Sequence, residues 1–191
     1  MKNNRVKSIV LISMLSSLSY ILMLLNFPLP IFPKYLLIDF SDIPALISAL
    51  ILGPVAGILV ELVKNILDYF LTGSITGVPI GPLANFIAGC TFILPIYYIY
   101  RKFKSKKGMI MALIIATLIM SVSMSILNYY VILPAYTFFM HAPVLSAEET
   151  RQFIVASIFP FNLVKGSLIT IVFMLVFSNL SGWLQKQAVQ N

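Results

Sequence analysis

Stretches of about 20 apolar residues recur along the whole chain, and this feature limits the fold more than any other. A helix of about 20 apolar residues is long enough to cross the hydrocarbon core of a bilayer. Of the 191 residues, 60% are hydrophobic and only 10% are charged, whereas about a quarter of the residues of a soluble domain are charged. The pattern predicts an all-α integral membrane protein. It excludes an ordinary cytosolic enzyme, a disordered chain and a fibrous protein.

We predict six membrane-spanning helices in a single membrane domain, residues 1–191. The apolar stretches are separated by prolines and glycines, which interrupt helices. These breaks are the proline-rich loop over residues 27–33, the Gly53-Pro54 turn, a Gly/Pro/Thr loop over residues 73–81, and Pro134. The predicted spans are residues 8–26, 42–53, 54–72, 81–101, 108–134 and 151–184.

Lysine and arginine lie mainly on one side of the predicted membrane domain. Cytoplasmic loops carry an excess of these residues, which predicts orientation. With both termini cytoplasmic, only Lys34 and Arg151 fall outside. The net charge of +7 therefore indicates contact with a lipid bilayer and no nucleic-acid partner. The cations assigned to the cytoplasmic side are Lys2, Arg5, Lys7, Arg101, Lys102, Lys104, Lys106, Lys107 and Lys186.

The N-terminal apolar run follows cations, as it does in a signal peptide. No Ala-x-Ala cleavage site follows the run, so we interpret it as a retained first helix. Its residues Ser13, Ser16, Ser17 and Tyr20 form a stripe of the kind that lets another helix approach closely. A partner membrane protein and the protein's own helices explain this stripe equally well.

Polar side chains within the spans are candidate functional residues, because burying them in hydrocarbon is costly. Asn85 and Asn128 are predicted to lie in the outer half of the membrane, with Lys165 somewhat deeper. Gly81 lies four residues before Asn85, and Asn162 lies three before Lys165, so each pair shares a helix face. These faces predict an outer pocket, and interhelical hydrogen bonding is the alternative role for the amides.

The first loop, residues 27–41, is predicted to lie outside and is unusually apolar for a solvated linker. We expect it to fold back as a lid. Asp42, directly after the loop, is a candidate N-cap for the second helix. Apolar walls with a few amide, ammonium and carboxylate groups are typical of small-molecule sites. The expected ligand is flat, amphipathic and extracellular.

Other chemistry-bearing residues have structural interpretations. Glu61, Lys64 and Asp68 share a face of the third helix, which favours an ion-pair ladder over a proton relay. His141 is predicted to be a solvated loop residue. Cys90 is the only cysteine, so we expect neither a disulfide nor a Cys/His metal site.

Five segments, taken together, carry a resemblance to a known protein family. They are YLLIDFSDIPALI (35–47), LGPVAG (52–57), GPLANFIAG (81–89), NYYVILPAY (128–136) and PFNLVKG (160–166). In this order, on six spans, they resemble the RibU family, the riboflavin-specific substrate-binding components of energy-coupling factor (ECF) vitamin transporters of low-GC Gram-positive bacteria. The resemblance covers nearly the whole chain.

The resemblance implies a six-helix plasma-membrane subunit that captures riboflavin from outside. Such a subunit works with a transmembrane coupling subunit and two ATPase subunits, which reorient it to release the vitamin inside. It implies no catalysis and no cofactor, since riboflavin is the transported ligand. The family's Ala-x-x-x-Ala contact with the coupling subunit matches Ser13 and Ser17 here. The chain has no G-x-x-x-x-G-K-[ST] phosphate loop, so it lacks that means of driving uptake by itself.

For the ligand, the polar faces and the resemblance indicate the same outer site. Asn128 and Lys165 are expected to hydrogen-bond the isoalloxazine edges or the ribityl hydroxyls, and Asp39 to accept from ribityl hydroxyls. Gly81 is expected to leave room for the ring. The remaining expected site residues are Tyr35, Leu37, Phe40 and Tyr136 against the ring, with Asn85 and Asn162 in the pocket.

Three alternative functions differ in what they require. An intramembrane enzyme needs a catalytic constellation at one depth, and the spans contain no Ser/His pair or metal-ligand cluster. A stand-alone channel or secondary transporter often carries inverted repeats, and the sequence shows no internal repeat. A substrate-binding component for another vitamin would share the fold and differ in its loop and pocket.

Overall fold

The structure, a computed structural model, describes residues 2–74 and 76–188 and is almost entirely helical in these ranges, which confirms the all-α class. A short antiparallel strand pair, β1 (Phe27–Pro28) and β2 (Leu37–Ile38), lies in the first loop. The helices are α1 (Lys2–Leu24), α2 (Asp42–Leu52), α3 (Pro54–Leu71), α4 (Ile80–Phe103), α5 (Lys106–Leu127), α6 (Leu133–Phe139), α7 (Ala147–Phe153) and α8 (Phe159–Ala188). Two π-helical turns, Asn128–Ile132 and Ile154–Ile158, join α5 to α6 and α7 to α8.

Four helical runs of the described chain are long and apolar enough to cross a membrane. They are Arg5–Leu24, Ile80–Phe103, Lys106–Phe139 and Ala147–Ser178. The helix α2 is apolar but has only 11 residues, and α3 carries three charged residues. The helix α1 begins at Lys2, which is earlier than the predicted first span, residues 8–26.

The helical run that contains the predicted fifth span does not end at Pro134, as the sequence indicated, but continues to Phe139. The π-helical turn Asn128–Ile132 precedes the proline and changes the hydrogen-bond pattern there. Pro134 consequently occupies the first turn of α6. The change of register accommodates the missing N–H donor of proline: the N–H of Leu133 bonds to Asn128 O, five residues earlier.

The last helical run begins at Ala147 rather than at Arg151, so Glu148 and Glu149 lie in a helix and not in a loop. Ser146 is the N-cap: its Oγ accepts from the N–H of Glu149 at 3.2 Å, and its N–H donates to Glu149 Oε2 at 2.8 Å. This capping box is readable in the sequence as S-x-x-E.

The turn between α2 and α3 forms as predicted. Gly53 has φ of 100°, a conformation that residues with a Cβ rarely adopt, and Pro54 opens α3. The N-cap of α2 differs from the prediction: Ser41 is the cap and Asp42 is the first helical residue. The side chain of Asp42 binds Lys64 instead of capping the backbone.

The apolar core lies where α2, α4, α5 and α8 meet. Its members include Leu46, Phe92, Leu113 and Phe173, which are fully or almost fully buried. The opposite faces of α1, α5 and α8 expose apolar side chains. Helices that are apolar on both the inner and the outer face are typical of a protein surrounded by lipid.

Candidate ligand-binding site

The first loop folds back over the ends of α6 and α8. The rings of Phe32 and Phe161 meet edge to face with centroids 5.5 Å apart. The rings of Tyr35 and Tyr136 lie 6.5 Å apart. The strand pair closes the loop, and Ile38 is fully buried beneath it. Aromatic contacts therefore attach the loop to the last two helical runs.

An ion pair joins the same loop to α8. Asp39 Oδ2 accepts from Lys165 Nζ at 3.1 Å, and both residues are at least nine-tenths buried. Burial alone would raise the pKa of Asp39, but the ammonium groups of Lys165 and Lys64 and the hydrogen bonds from Ser41 lower it to about 2. Two predicted site residues are thus brought together, and the carboxyl group is ionised at neutral pH.

A second set of charges lies between this loop and α3, and we call Ser41, Asp42, Glu61 and Lys64 the charged cluster. Lys64 Nζ is 2.5 Å from Asp42 Oδ1 and 2.9 Å from Glu61 Oε2. The predicted pairing of Lys64 with Glu61 is confirmed. The predicted third member is wrong, because Asp68 hydrogen-bonds with Thr72 and Asp42 takes its place beside Lys64.

Three asparagines form what we call the amide group: Asn85, Asn128 and Asn162. Asn128 Nδ2 donates to Met124 O and Asn162 Nδ2 donates to Ile158 O, each at 2.8 Å. Within the described chain their Oδ1 atoms accept no hydrogen bond, and the buried Oδ1 of Asn85 also has no partner there. Each amide therefore keeps an unused acceptor.

Both π-helical turns lie next to these amides. Asn128 opens the first turn, and Asn162 donates to the last carbonyl of the second. Such turns occur frequently at functional sites, because they re-aim side chains within a helix. Neither turn was predicted from the sequence.

Tyr136 lies near both Gly81 and Tyr35. A Cβ at Gly81 would lie 3.2 Å from the hydroxyl of Tyr136, so that space is already narrow. Burial, together with the neighbouring Tyr136, raises the pKa of Tyr35 to about 12. The phenol of Tyr35 is therefore a neutral donor at physiological pH.

Two predicted ring contacts have other surroundings in this structure. Phe40 packs against the apolar core, and Leu37 of β2 is 37% exposed. A shallow groove of about 340 Å³ lies elsewhere, beside the π-helical turns. Its lining residues are Ser125, Ile126, Tyr129, Tyr130, Arg151, Ile154 and Val155, so it lies next to Asn128 without including it.

The remaining candidates have ordinary surroundings. His141 is exposed, as predicted. Cys90 has a free, half-buried thiol. Among residues 2–74 and 76–188 no three His, Cys, Asp or Glu side chains are placed to hold a metal ion. The arrangement supplies donors, acceptors and aromatic surfaces, which are suited to binding.

The family model for the substrate-specific component of ECF transporters matches residues 7–177. The chain belongs to this family. The resemblance inferred from the five segments is thus confirmed at the level of the family, and the chain is a membrane transport component rather than an enzyme.

Named relatives of this substrate-specific component are riboflavin transporters. Riboflavin transporter FmnP of Bacillus subtilis is 53% identical over 96% of each chain. Riboflavin transporter RibU of Staphylococcus aureus is 44% identical over 94% of this chain and 93% of its own. A solved structure described as the S component of a bacterial ECF transporter has a TM-score of 0.80, with 43% identity over 94% of this chain and 98% of that one.

The role of Ser41 in this substrate-specific component was not predicted from the sequence. Ser41 Oγ hydrogen-bonds with Asp39, and its carbonyl accepts from Ser19 of α1. Lys64 also donates to Ser41 Oγ, at 2.7 Å. The available signal was a lysine in the middle of an apolar helix, which demands partners from neighbouring segments.

Proposed function

We propose that this protein is the riboflavin-binding subunit of an ECF uptake transporter in the plasma membrane of a Gram-positive bacterium. The observation that carries the choice of ligand is the 53% identity, over 96% of both chains, to a protein named as a riboflavin transporter. A site with aromatic surfaces, amides and one ion pair suits a flat ring with a polyhydroxyl tail.

The proposed ligand contacts lie between the first loop and the last helical runs. Asn128 and Lys165 hydrogen-bond the polar edges of the ring or the ribityl hydroxyls, and Asp39 accepts from the hydroxyls. The Asp39–Lys165 pair supports this because ligand hydroxyls can insert between a carboxylate and an ammonium group. Residues Tyr35, Leu37, Phe40, Gly81, Asn85, Tyr136 and Asn162 complete the proposed site.

The proposed topology has six spans within one domain, residues 1–191, with both termini cytoplasmic. The distribution of lysine and arginine supports this orientation. The first loop then lies outside and acts as a lid. Its contacts with Phe161 and Tyr136 support the lid, because they join the middle of the loop to the helices, whereas Ser41 holds the end of the loop to α1 and α3.

The proposed partners are a transmembrane coupling subunit and two ATPase subunits. Ser13 and Ser17 of α1 are exposed, and each hydroxyl bonds to its own helix backbone, at Ile9 O and Ser13 O. A surface with small, internally satisfied side chains allows a second helix to approach closely. ATP-dependent uptake that needs co-expression of these partners would distinguish this function from a stand-alone transporter, which would take up riboflavin alone.

The test of the ligand is a visible absorption spectrum of the protein purified in mild detergent. Denaturation and chromatography then identify any flavin released. We expect riboflavin at about one molecule per chain, or strong quenching of added riboflavin fluorescence if the site is purified empty. A colourless protein that fails to quench would exclude riboflavin and direct the search to other vitamins.

A further inference from the structure

Lys64 is a fully buried ammonium group in α3 that the proposed ligand contacts do not include. Its three donors have three partners: Glu61 Oε1 at 3.0 Å, Asp42 Oδ1 at 2.5 Å and Ser41 Oγ at 2.7 Å. An ammonium group has three donors, so its capacity is fully used. A single carboxylate would neutralise the charge. The further bonds attach α3 to the end of the first loop.

The hydroxyl group of Ser41 extends this attachment to Asp39. Because Ser41 Oγ accepts from Lys64, its single hydrogen is directed to another acceptor, and that acceptor is Asp39 Oδ1. The N–H of Ser41 donates to the same oxygen at 2.9 Å. Both donors of Ser41 therefore hold Oδ1, which leaves Oδ2 facing Lys165 at 3.1 Å.

We propose that Lys64 and Ser41 are positioning residues for ligand capture, which hold Asp39 so that its Oδ2 is presented to the ligand. This inference rests on the proposed function, since it concerns the same site. Neither positioning residue touches riboflavin. Without the Ser41 hydroxyl the carboxylate rotates more freely, and the cost of fixing it is added to the cost of binding.

The first experiment is riboflavin titration of Ser41→Ala by fluorescence quenching. This variant leaves Lys64 with both carboxylate partners, so it avoids an unpaired buried charge. We expect affinity to fall by about tenfold, the size of one lost hydrogen bond. Ser41→Thr retains the hydroxyl and is expected to bind within about threefold of the parent protein.

Ser48→Ala is the matched control. Ser48 is also fully buried and lies within α2, the helix that Ser41 precedes. Its Oγ has no hydrogen-bond partner in the described chain. We expect its riboflavin affinity to remain within about twofold of the parent. Ser41→Ala binding as tightly as the parent would overturn the positioning role.

A double-mutant cycle separates positioning from general structural support. If Ser41 acts through Asp39, then Ser41→Ala in an Asp39→Asn background weakens binding by less than about twofold further. A full tenfold loss in that background would show that Ser41 acts by another route, and would overturn the proposal.

A measurement without ligand separates this inference from the proposed function. If the parent protein does not bind riboflavin, the proposed function fails whatever the variants do. Amide hydrogen exchange of residues 36–42 then decides the positioning role by itself. We expect Ser41→Ala to accelerate that exchange by about tenfold and Ser48→Ala to leave it unchanged. Unchanged exchange in Ser41→Ala would overturn the positioning role.

Discussion

The charged cluster and the amide group are both buried polar sets, but only the charged cluster contains opposite charges that are paired with each other. In the charged cluster every donor of Lys64 is bonded and both carboxylates are paired with it, although Asp42 Oδ2 and Glu61 Oε2 accept no hydrogen bond in the described chain. In the amide group each side chain keeps an oxygen without a hydrogen bond in the described chain. A buried polar atom without a partner is costly.

This difference suggests different roles for the two sets. A cluster of paired opposite charges in which every ammonium donor is bonded holds segments together and offers no free donor to a ligand. A set of amides with open acceptors is stable where a ligand supplies the missing donors. Removing the charge of Lys64 should therefore lower stability first, and substitutions in the amide group should lower affinity first.

The largest expected effect comes from Lys64→Met. It leaves Asp42 and Glu61 buried without a counter-charge, and breaking a buried ion pair in this way costs about 3–5 kcal/mol. Thermal unfolding in detergent should show a large loss, with recovery in Lys64→Met/Asp42→Asn/Glu61→Gln. Lys102→Met, at an exposed helix end, is the control and should change stability by less than about 0.5 kcal/mol. Equal melting of the two single variants would refute this role of the cluster.

Gly89→Ala should have the next largest effect. A Cβ at this position would overlap the carboxylate of Glu61, and overpacking of this kind costs about 1–3 kcal/mol. Gly81→Ala is the matched change beside the amide group, where the Cβ meets only the Tyr136 hydroxyl at 3.2 Å. Its unfolding free energy should stay within about 1 kcal/mol of the parent. The comparison fails if Gly81→Ala is the less stable variant.

Asn128→Ala should lower riboflavin affinity by about 5–30-fold, the equivalent of about 1–2 kcal/mol, with little change in stability. Asn65→Ala is a close control, since Asn65 is also buried and its Nδ2 donates to the carbonyl four residues earlier at 2.8 Å. It should bind riboflavin like the parent. If Asn128→Ala and Lys165→Ala both bind within about twofold of the parent, the site assignment is wrong.

Ser13→Leu/Ser17→Leu should leave riboflavin affinity within about twofold, because both side chains are exposed and their hydroxyls bond to the backbone of their own helix. Uptake with the coupling module should nevertheless fall, because leucine prevents close approach of a second helix. Met14→Leu on the same exposed face is the control. Normal uptake by the double variant would place the partner contact elsewhere.

The smallest effect is expected from pH. Asp39, with a pKa of about 2, stays ionised, and Tyr35, with a pKa of about 12, stays neutral. Riboflavin affinity should therefore vary by less than about twofold between about pH 5 and pH 8. Because its pKa is depressed, the stabilising contribution of Asp39 is complete above about pH 4 and is lost only as the pH falls through about 2. A titration with a midpoint between pH 5 and pH 8 would contradict this.

The helical class and the main breaks could be predicted because they depend on local sequence. Apolar runs, the loop over residues 27–33 and the turn at Gly53 and Pro54 all act within a few residues. Pro134 misled the prediction, because the preceding π-helical turn shifts the hydrogen-bond register and the helical run continues past the proline. The capping box at Ser146 is local as well, so a helix that begins at Ala147 rather than at Arg151 was predictable from the sequence.

The polar contacts could be predicted only in part, because their partners are distant in the sequence. Asp39 and Lys165 are 126 residues apart, and both had been selected individually as site residues. For Lys64, helical spacing correctly indicated Glu61. Whether Asp68 or Asp42 is the second carboxylate beside Lys64 depends on how α2 packs against α3, and the periodicity of one helix does not predict that packing.

The short helix α2 has a consequence for how the protein responds to membrane thickness. Its 11 residues extend about 16 Å, about half of a hydrocarbon core of about 30 Å. Most of its residues are buried against α1, α3, α4 and α8, so its length is matched to protein and not to lipid. Hydrophobic mismatch therefore acts on the longer outer helices, which can tilt, while α2 keeps its place beside Asp39 in thin and thick bilayers alike.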